Sequence, residues 1–185
     1  KGIHFHIGSQ ITKMSVFKSL CSRINELQEF FSSQNINLEI INVGGGLGID
    51  YSNPEKTARF EDYFSMIREF VKLRPGQHIH VEPGRSLVGQ CGSLISKVLY
   101  IKKGSNTTFA IIDAGMTDLI RPALYQAVHK IENLTSNGNA VRYDVVGPVC
   151  ESADSFAKYI ELPETRRGDL IAIRSAGAYG EAMAS

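Results

Sequence analysis

A chain of 185 residues with a formal net charge of +1 is long enough to bury a real core, and it carries no broad basic field of the kind that binds nucleic acid or an anionic membrane. Hydrophobic residues at 43% and charged residues at 21% are ordinary for a soluble globular protein, and no apolar run is long enough to span a bilayer. Cys21, Cys91 and Cys150 are few, odd in number and far apart, which fits a reducing, cytoplasmic setting rather than a disulfide framework.

Gly2 to Ile7 reads as an apolar strand that stops at Gly8-Ser9. Ser15 to Gln34 follows with Val16, Phe17, Leu20, Ile24, Leu27, Phe30 and Phe31, a stripe on one helical face. Leu38 to Val43 is a second strand, ending at Gly44-Gly45-Gly46-Leu47-Gly48. Thr57 to Leu73 repeats the helical pattern until Pro75-Gly76 breaks it, and His78 to Glu82 is a third strand, closed by Pro83-Gly84-Arg85. This β-α-β-α-β order predicts parallel α/β units over residues 1–90. Beyond them, residues 91–185 read as mainly β. Leu94–Ile101 and Thr107–Asp113 are joined by the turn Lys103-Gly104-Ser105-Asn106, and Val141–Val146 and Leu170–Ile173 are two further strands. The chain begins within a strand and stops without a closing element, so it reads as a segment of a longer protein.

Strand ends on one side of a parallel sheet or barrel are where such folds hold ligands, and three such ends carry unusual residues here. Four glycines in five positions after a strand let the backbone approach a ligand and aim several N–H groups at an anion, which points to phosphate. The spacing matches neither the dinucleotide fingerprint nor a P-loop. Glu82 at a strand end needs a cation or a strong donor. Arg85 could be that partner as a simple ion pair, or a protonated pyridine nitrogen could take Glu82 and leave Arg85 to bind a phosphate or carboxylate. His4 and His6 share a strand face, and His78 and His80 repeat the spacing. A metal pair is one reading. A flat His6 stacked on an aromatic cofactor ring, with Ser9 nearby, accounts better for the glycines, and no metal is expected. In the β part, Gly147-Pro148-Val149-Cys150-Glu151-Ser152-Ala153-Asp154 is a poor core segment and a good place for an exposed thiol. Arg121 precedes Pro122, which predicts an extended backbone suited to a carboxylate clamp. Cys21 lies on a helix and is expected only to pack.

These motifs, in this order and over nearly the whole chain, resemble the fold type III decarboxylases that use pyridoxal 5'-phosphate, the ornithine, diaminopimelate and arginine decarboxylase family. The matching segments are His4–Ser9, Asn42–Gly48, Val81–Arg85, Asp113–Tyr125, Gly147–Asp154 and Ser175–Ser185. The resemblance implies the C-terminal part of a (β/α)8 barrel followed by most of a β-barrel or sandwich domain. It implies that His6 stacks on the cofactor and Ser9 lies near its phosphate. Gly44, Gly45 and Gly46 would cradle that phosphate, Glu82 would face the ring nitrogen, and Gly84 and Arg85 would line the cofactor site. Arg85, Arg121 and Tyr125 would hold the distal end of a substrate. Cys150, as proton donor, and Glu151, as partner of a distal ammonium, would serve the neighbouring subunit's site in a homodimer. Glu151-Ser152 with Arg121 implies a substrate bearing both an amine and a carboxylate at its far end. That suits meso-2,6-diaminopimelate, decarboxylated to L-lysine, over the alternative of an ornithine- or arginine-type substrate. A non-catalytic homologue of the same fold, acting by binding a partner, is a third reading. The family's cofactor-tethering lysine lies upstream of the matching region, and Lys1 and Lys13 stand outside its motif, so this segment alone is expected to be inactive. A cytoplasmic location is expected, with a plastid as the alternative if the source is a plant.

Overall fold

A computed structural model describes all residues 1–185. Two compact units emerge, Lys1–Ile49 with Lys56–Leu87, and Asp50–Glu55 with Val88–Ser185.

The first unit holds a three-stranded sheet of β1 (Gly2–His4), β2 (Ile40–Asn42) and β3 (His78–His80), parallel throughout and in that order. Between the strands run α1 (Met14–Ser33) and α2 (Phe60–Phe70). The register places Ile3, Ile41 and Ile79 side by side and His4, Asn42 and His80 in the next row. Successive side chains of a strand point to opposite faces. Ile41 is fully buried against a core that includes Phe17, Ile24 and Tyr63, whereas His4 and His80 are exposed. The helices therefore cover the isoleucine face. Phe17 meets Tyr63 edge to face at 4.9 Å, and burial pushes the Tyr63 hydroxyl up to about 12. Asn25 of α1 donates to the Phe70 carbonyl at 2.8 Å and accepts from the Lys72 N–H at 2.9 Å, closing the otherwise open end of α2. Cys21 is buried in the same core, as a packing residue should be, and burial raises its thiol pKa.

The second unit is a six-stranded sheet in the order β6-β9-β4-β5-β7-β8. Its strands are β4 (Leu94–Lys103), β5 (Thr108–Ile112), β6 (Ile131–Asn133), β7 (Ala140–Val146), β8 (Ser155–Pro163) and β9 (Leu170–Ile173). All pairings are antiparallel except β5 with β7. The sheet curls so that its two edges approach. Asn133 at the end of β6 donates to Thr165 Oγ1 just beyond β8 at 3.0 Å, and to Asp169 at 2.9 Å. Val98, Ala110, Ile112, Val145, Ile171 and Ile173 fill the inside. The hairpin turn between β4 and β5 is closed by the Gly104 N–H on the Thr107 carbonyl at 2.8 Å.

The expected α/β part followed by a β part is present. Boundaries shift, with Asp50–Glu55 joining the second unit, and three features depart from expectation: β6, β8 and the backbone at Arg121. β8, the second longest strand of the unit, is absent from the sequence reading because its alternation breaks at Lys158-Tyr159. There the register against β7 shifts, and Tyr159 turns to φ +55° with its N–H on Asp144 Oδ1 at 2.8 Å. Arg121 is not extended: it opens a short helix, α4 (Arg121–Tyr125). Pro122 stands in the first turn, where an N–H would have no helical partner and the ring's fixed φ suits the helix, so the usual restriction on the preceding residue yields.

Candidate active site

In the first unit the expected cofactor residues gather at the carboxyl ends of the three parallel strands. The chain leaves β2 into the glycine run, whose backbone stitches the strand ends together. The Phe5 N–H donates to the Asn42 carbonyl at 3.0 Å, Val43 to His80 at 2.9 Å, and Glu82 to Gly44 at 2.8 Å. Gly44 sits at φ +71°, and a Cβ there would fall on the Phe5 carbonyl oxygen; one at Gly45 would fall on that of Glu82. Only glycine permits this approach. The Gly44 N–H is taken by Asn42 Oδ1 at 2.8 Å, while the N–H groups of Gly45 and Gly46 have no partner within the chain. On the far side of the run, Gln10 grips Ile49 twice, its amide donating at 2.6 Å and accepting at 3.2 Å.

Glu82 is half exposed, yet both its oxygens are engaged: Asn42 Nδ2 donates to Oε1 at 2.8 Å, and His4 Nε2 lies 3.3 Å from Oε2. The Asn42 hydrogen bond above all holds the carboxyl below its ordinary pKa, with His4 and His6 acting in the same direction against partial desolvation. Arg85 turns instead to Ser9, its Nη2 donating to Oγ at 3.1 Å and its Nε at 3.4 Å. His6 is exposed just past β1, and Gly84 is exposed one residue before the short helix α3 (Arg85–Val88). Neither Asn42 nor His4 was singled out as a partner of Glu82. Their roles rest on the parallel register, which no local pattern reveals.

The second unit carries the other candidates. Arg121 is buried, its Nη1 3.0 Å from His129 Nε2 and its Cζ 4.6 Å over the Tyr51 ring. Tyr125, at the other end of α4, is 60% exposed. Cys150 and Glu151 are exposed on a turn shaped by Asp154. That carboxylate is buried and accepts from the Met116 N–H at 2.6 Å and the Val149 N–H at 2.7 Å, while the Asp154 N–H donates to the Glu151 carbonyl at 3.0 Å. Asp154 and His129 thus support the Cys150 turn and Arg121, roles that local sequence does not signal.

Residues 1–89 match the pyridoxal-binding domain of the pyridoxal-dependent decarboxylases, and residues 51–177 match the C-terminal sheet domain of the same enzymes. The chain belongs to this family. The diaminopimelate decarboxylase of Bacteroides thetaiotaomicron is 61% identical over 186 residues, covering 100% of this chain and 48% of that protein. A crystal structure of diaminopimelate decarboxylase from Helicobacter pylori with L-lysine superposes with a TM-score of 0.90 at 43% identity, over 100% of this chain and 45% of that one. The enzyme from M. jannaschii in co-complex with L-lysine gives a TM-score of 0.91 at 36% identity, over 100% of this chain and 43% of that one. The chain spans about half the length of the curated relatives it matches.

The strand ends fit the family's cofactor. Two unpartnered peptide N–H groups in a turn too tight for any side chain suit a phosphate, and an ionised carboxylate on the adjacent strand end suits a protonated ring nitrogen.

Proposed function

We propose that the full-length protein decarboxylates meso-2,6-diaminopimelate to L-lysine and carbon dioxide as a homodimer. The observation that carries this reading is the Glu82 carboxylate, kept ionised by Asn42 beside the free N–H groups of Gly45 and Gly46. Pyridoxal phosphate, when bound, supplies an electron-poor ring that accepts the electrons of a breaking carbon–carbon bond. Gly44, Gly45 and Gly46 would hold its phosphate, with Ser9 close by, and His6 would pack flat on the ring. Glu82 would keep the ring nitrogen protonated, which makes the ring a better acceptor. Gly84 and Arg85 would line the same site.

Arg121 offers a planar fork of donors suited to a carboxylate, and Glu151 offers an acceptor for an ammonium. Together with Arg85 and Tyr125 they would bind a substrate whose far end bears both groups. Cys150, exposed on its turn, would return a proton to the carbon that has lost its carboxylate, and with Glu151 it would serve the partner subunit's site. The identity to a diaminopimelate decarboxylase and the likeness to two lysine-bound structures support this substrate over ornithine or arginine.

The test uses the full-length protein loaded with pyridoxal phosphate. A visible absorption band bleached by borohydride is expected, and carbon dioxide should be released from meso-diaminopimelate with a kcat/KM at least about tenfold above that for ornithine or arginine. No band after loading would overturn the cofactor assignment. A preference for ornithine or arginine would overturn the substrate.

A further inference from the structure

We propose that His129 is a positioning residue for recognition of the substrate's distal carboxylate: as a neutral imidazole carrying its proton on Nδ1, it holds the Arg121 guanidinium in its binding orientation. The inference rests on the reading of Arg121 as the partner of that carboxylate. Both side chains are buried. His129 Nδ1 lies 2.8 Å from the Arg174 carbonyl oxygen, which can only accept, so Nδ1 bears the hydrogen. Its Nε2 lies 3.0 Å from Arg121 Nη1, which can only donate, so Nε2 presents its lone pair. The partners leave one protonation state, the neutral one.

Aromatic and backbone contacts frame the pair. Tyr51 stands edge-on to the imidazole at 4.8 Å and lies under the guanidinium, and its carbonyl takes the Lys130 N–H at 3.1 Å. Arg174 donates its own N–H to the Lys130 carbonyl at 2.8 Å, and its side chain turns away to Glu55 at 2.9 Å and Glu132 at 3.8 Å. Charged and titratable groups placed around His129 include Arg121, whose guanidinium meets its Nε2, Tyr51, and Arg174, whose side chain is paired with two carboxylates. His129 takes one arm of the Arg121 fork and Tyr51 lies under its plane, and together they set the orientation in which the guanidinium would meet a carboxylate. Protonation of His129 would set N–H against N–H and cation against cation, and would release the fork.

Binding to the cofactor-loaded full-length protein tests this without turnover. L-Lysine keeps the distal amine and carboxylate of diaminopimelate, and cadaverine lacks the carboxylate. In the wild type the ratio of lysine to cadaverine affinity, measured by calorimetry between about pH 5.5 and 8, should fall by about tenfold per pH unit below the imidazole's titration. His129→Gln, whose amide both accepts and donates without titrating, should keep a high, pH-independent ratio. His129→Leu should lower the ratio at least about tenfold at all pH values. A ratio unchanged in His129→Leu but lowered in Arg121→Ala would overturn the role of His129 and leave the reading of Arg121 intact. A ratio unchanged in Arg121→Ala would overturn that reading itself. If His129→Leu does not fold, the wild-type pH profile against that of His129→Gln decides, and two identical profiles would refute the proposal.

Discussion

Glu82 shows how a half-exposed carboxylate is kept in one state by its neighbours. Its pKa is depressed, chiefly by the Asn42 amide. Its contribution to stability is thus complete above its unfolded pKa and is lost as the pH falls through the lower folded value. Replacing Asn42 with Leu removes the first of those causes, so Glu82 should protonate at a higher pH. Acid titration of the cofactor-loaded protein, followed by its visible absorption, should show cofactor loss beginning at higher pH in Asn42→Leu than in the wild type. An unshifted curve would mean that Asn42 does not govern the carboxylate. Asp154 acts differently, as a buried acceptor for two backbone N–H groups of the Cys150 turn and its neighbour. In Asp154→Asn an amide N–H must face one of these donors. The variant should lose about 1–3 kcal/mol in denaturant unfolding and much of kcat, while keeping the cofactor band.

At the scale of elements, the glycine run is a piece of strand-end architecture as much as a ligand site. Gly44→Ala places a methyl group against the Phe5 carbonyl at a positive φ. It should weaken pyridoxal phosphate binding at least about tenfold and cost roughly 1–3 kcal/mol in a thermal melt. Wild-type affinity in that variant would show that the turn is not the cradle. Such elements were readable in the sequence to different degrees. α1 was legible because Phe17, Leu20 and Ile24 repeat at helical spacing and are buried, although Val16 and Phe30 of the expected stripe are exposed and Cys21 and Gln28 are buried beside the others. β9 was legible because Leu170–Ile173 is a continuous apolar run, buried over its last three residues. β8 was hidden by a bulge that a distant aspartate supports, and α4 was hidden because Arg121-Pro122 has two backbone solutions and its surroundings choose between them. The candidate site followed the same division. Glu82, the glycines and Cys150-Glu151 stood out by residue type at strand ends and turns. Asn42, His4, His129 and Asp154 act through neighbours remote in sequence, and local spacing does not encode those.

The two units of the chain differ in how their sheets are closed. In the second, Asn133 and Thr165 lace the sheet's edge strands together. In the first, the parallel sheet has helices on one face, and on the other His4, His78 and His80 are exposed, although parallel sheets ordinarily bury both. For the proposed homodimer, in which Cys150 would act across the interface, mixed assembly gives a direct check. Glu82→Gln and Cys150→Ala homodimers should each be nearly inactive. Unfolding and refolding them together should restore about a quarter of wild-type activity, because half of the dimers formed would carry one intact site. No recovery would place both residues in a site made by one subunit.

The bond from the Glu82 N–H to the Gly44 carbonyl has a consequence for which molecules the strand ends admit. It ties the backbone of the proposed phosphate cradle to that of the residue bearing the carboxylate, and the Asn42 amide then holds the carboxylate itself in place. Under the proposed function the site would act as a gauge of length, suited to a ring that carries an anionic arm. Pyridoxal without its phosphate would touch only one end of that gauge.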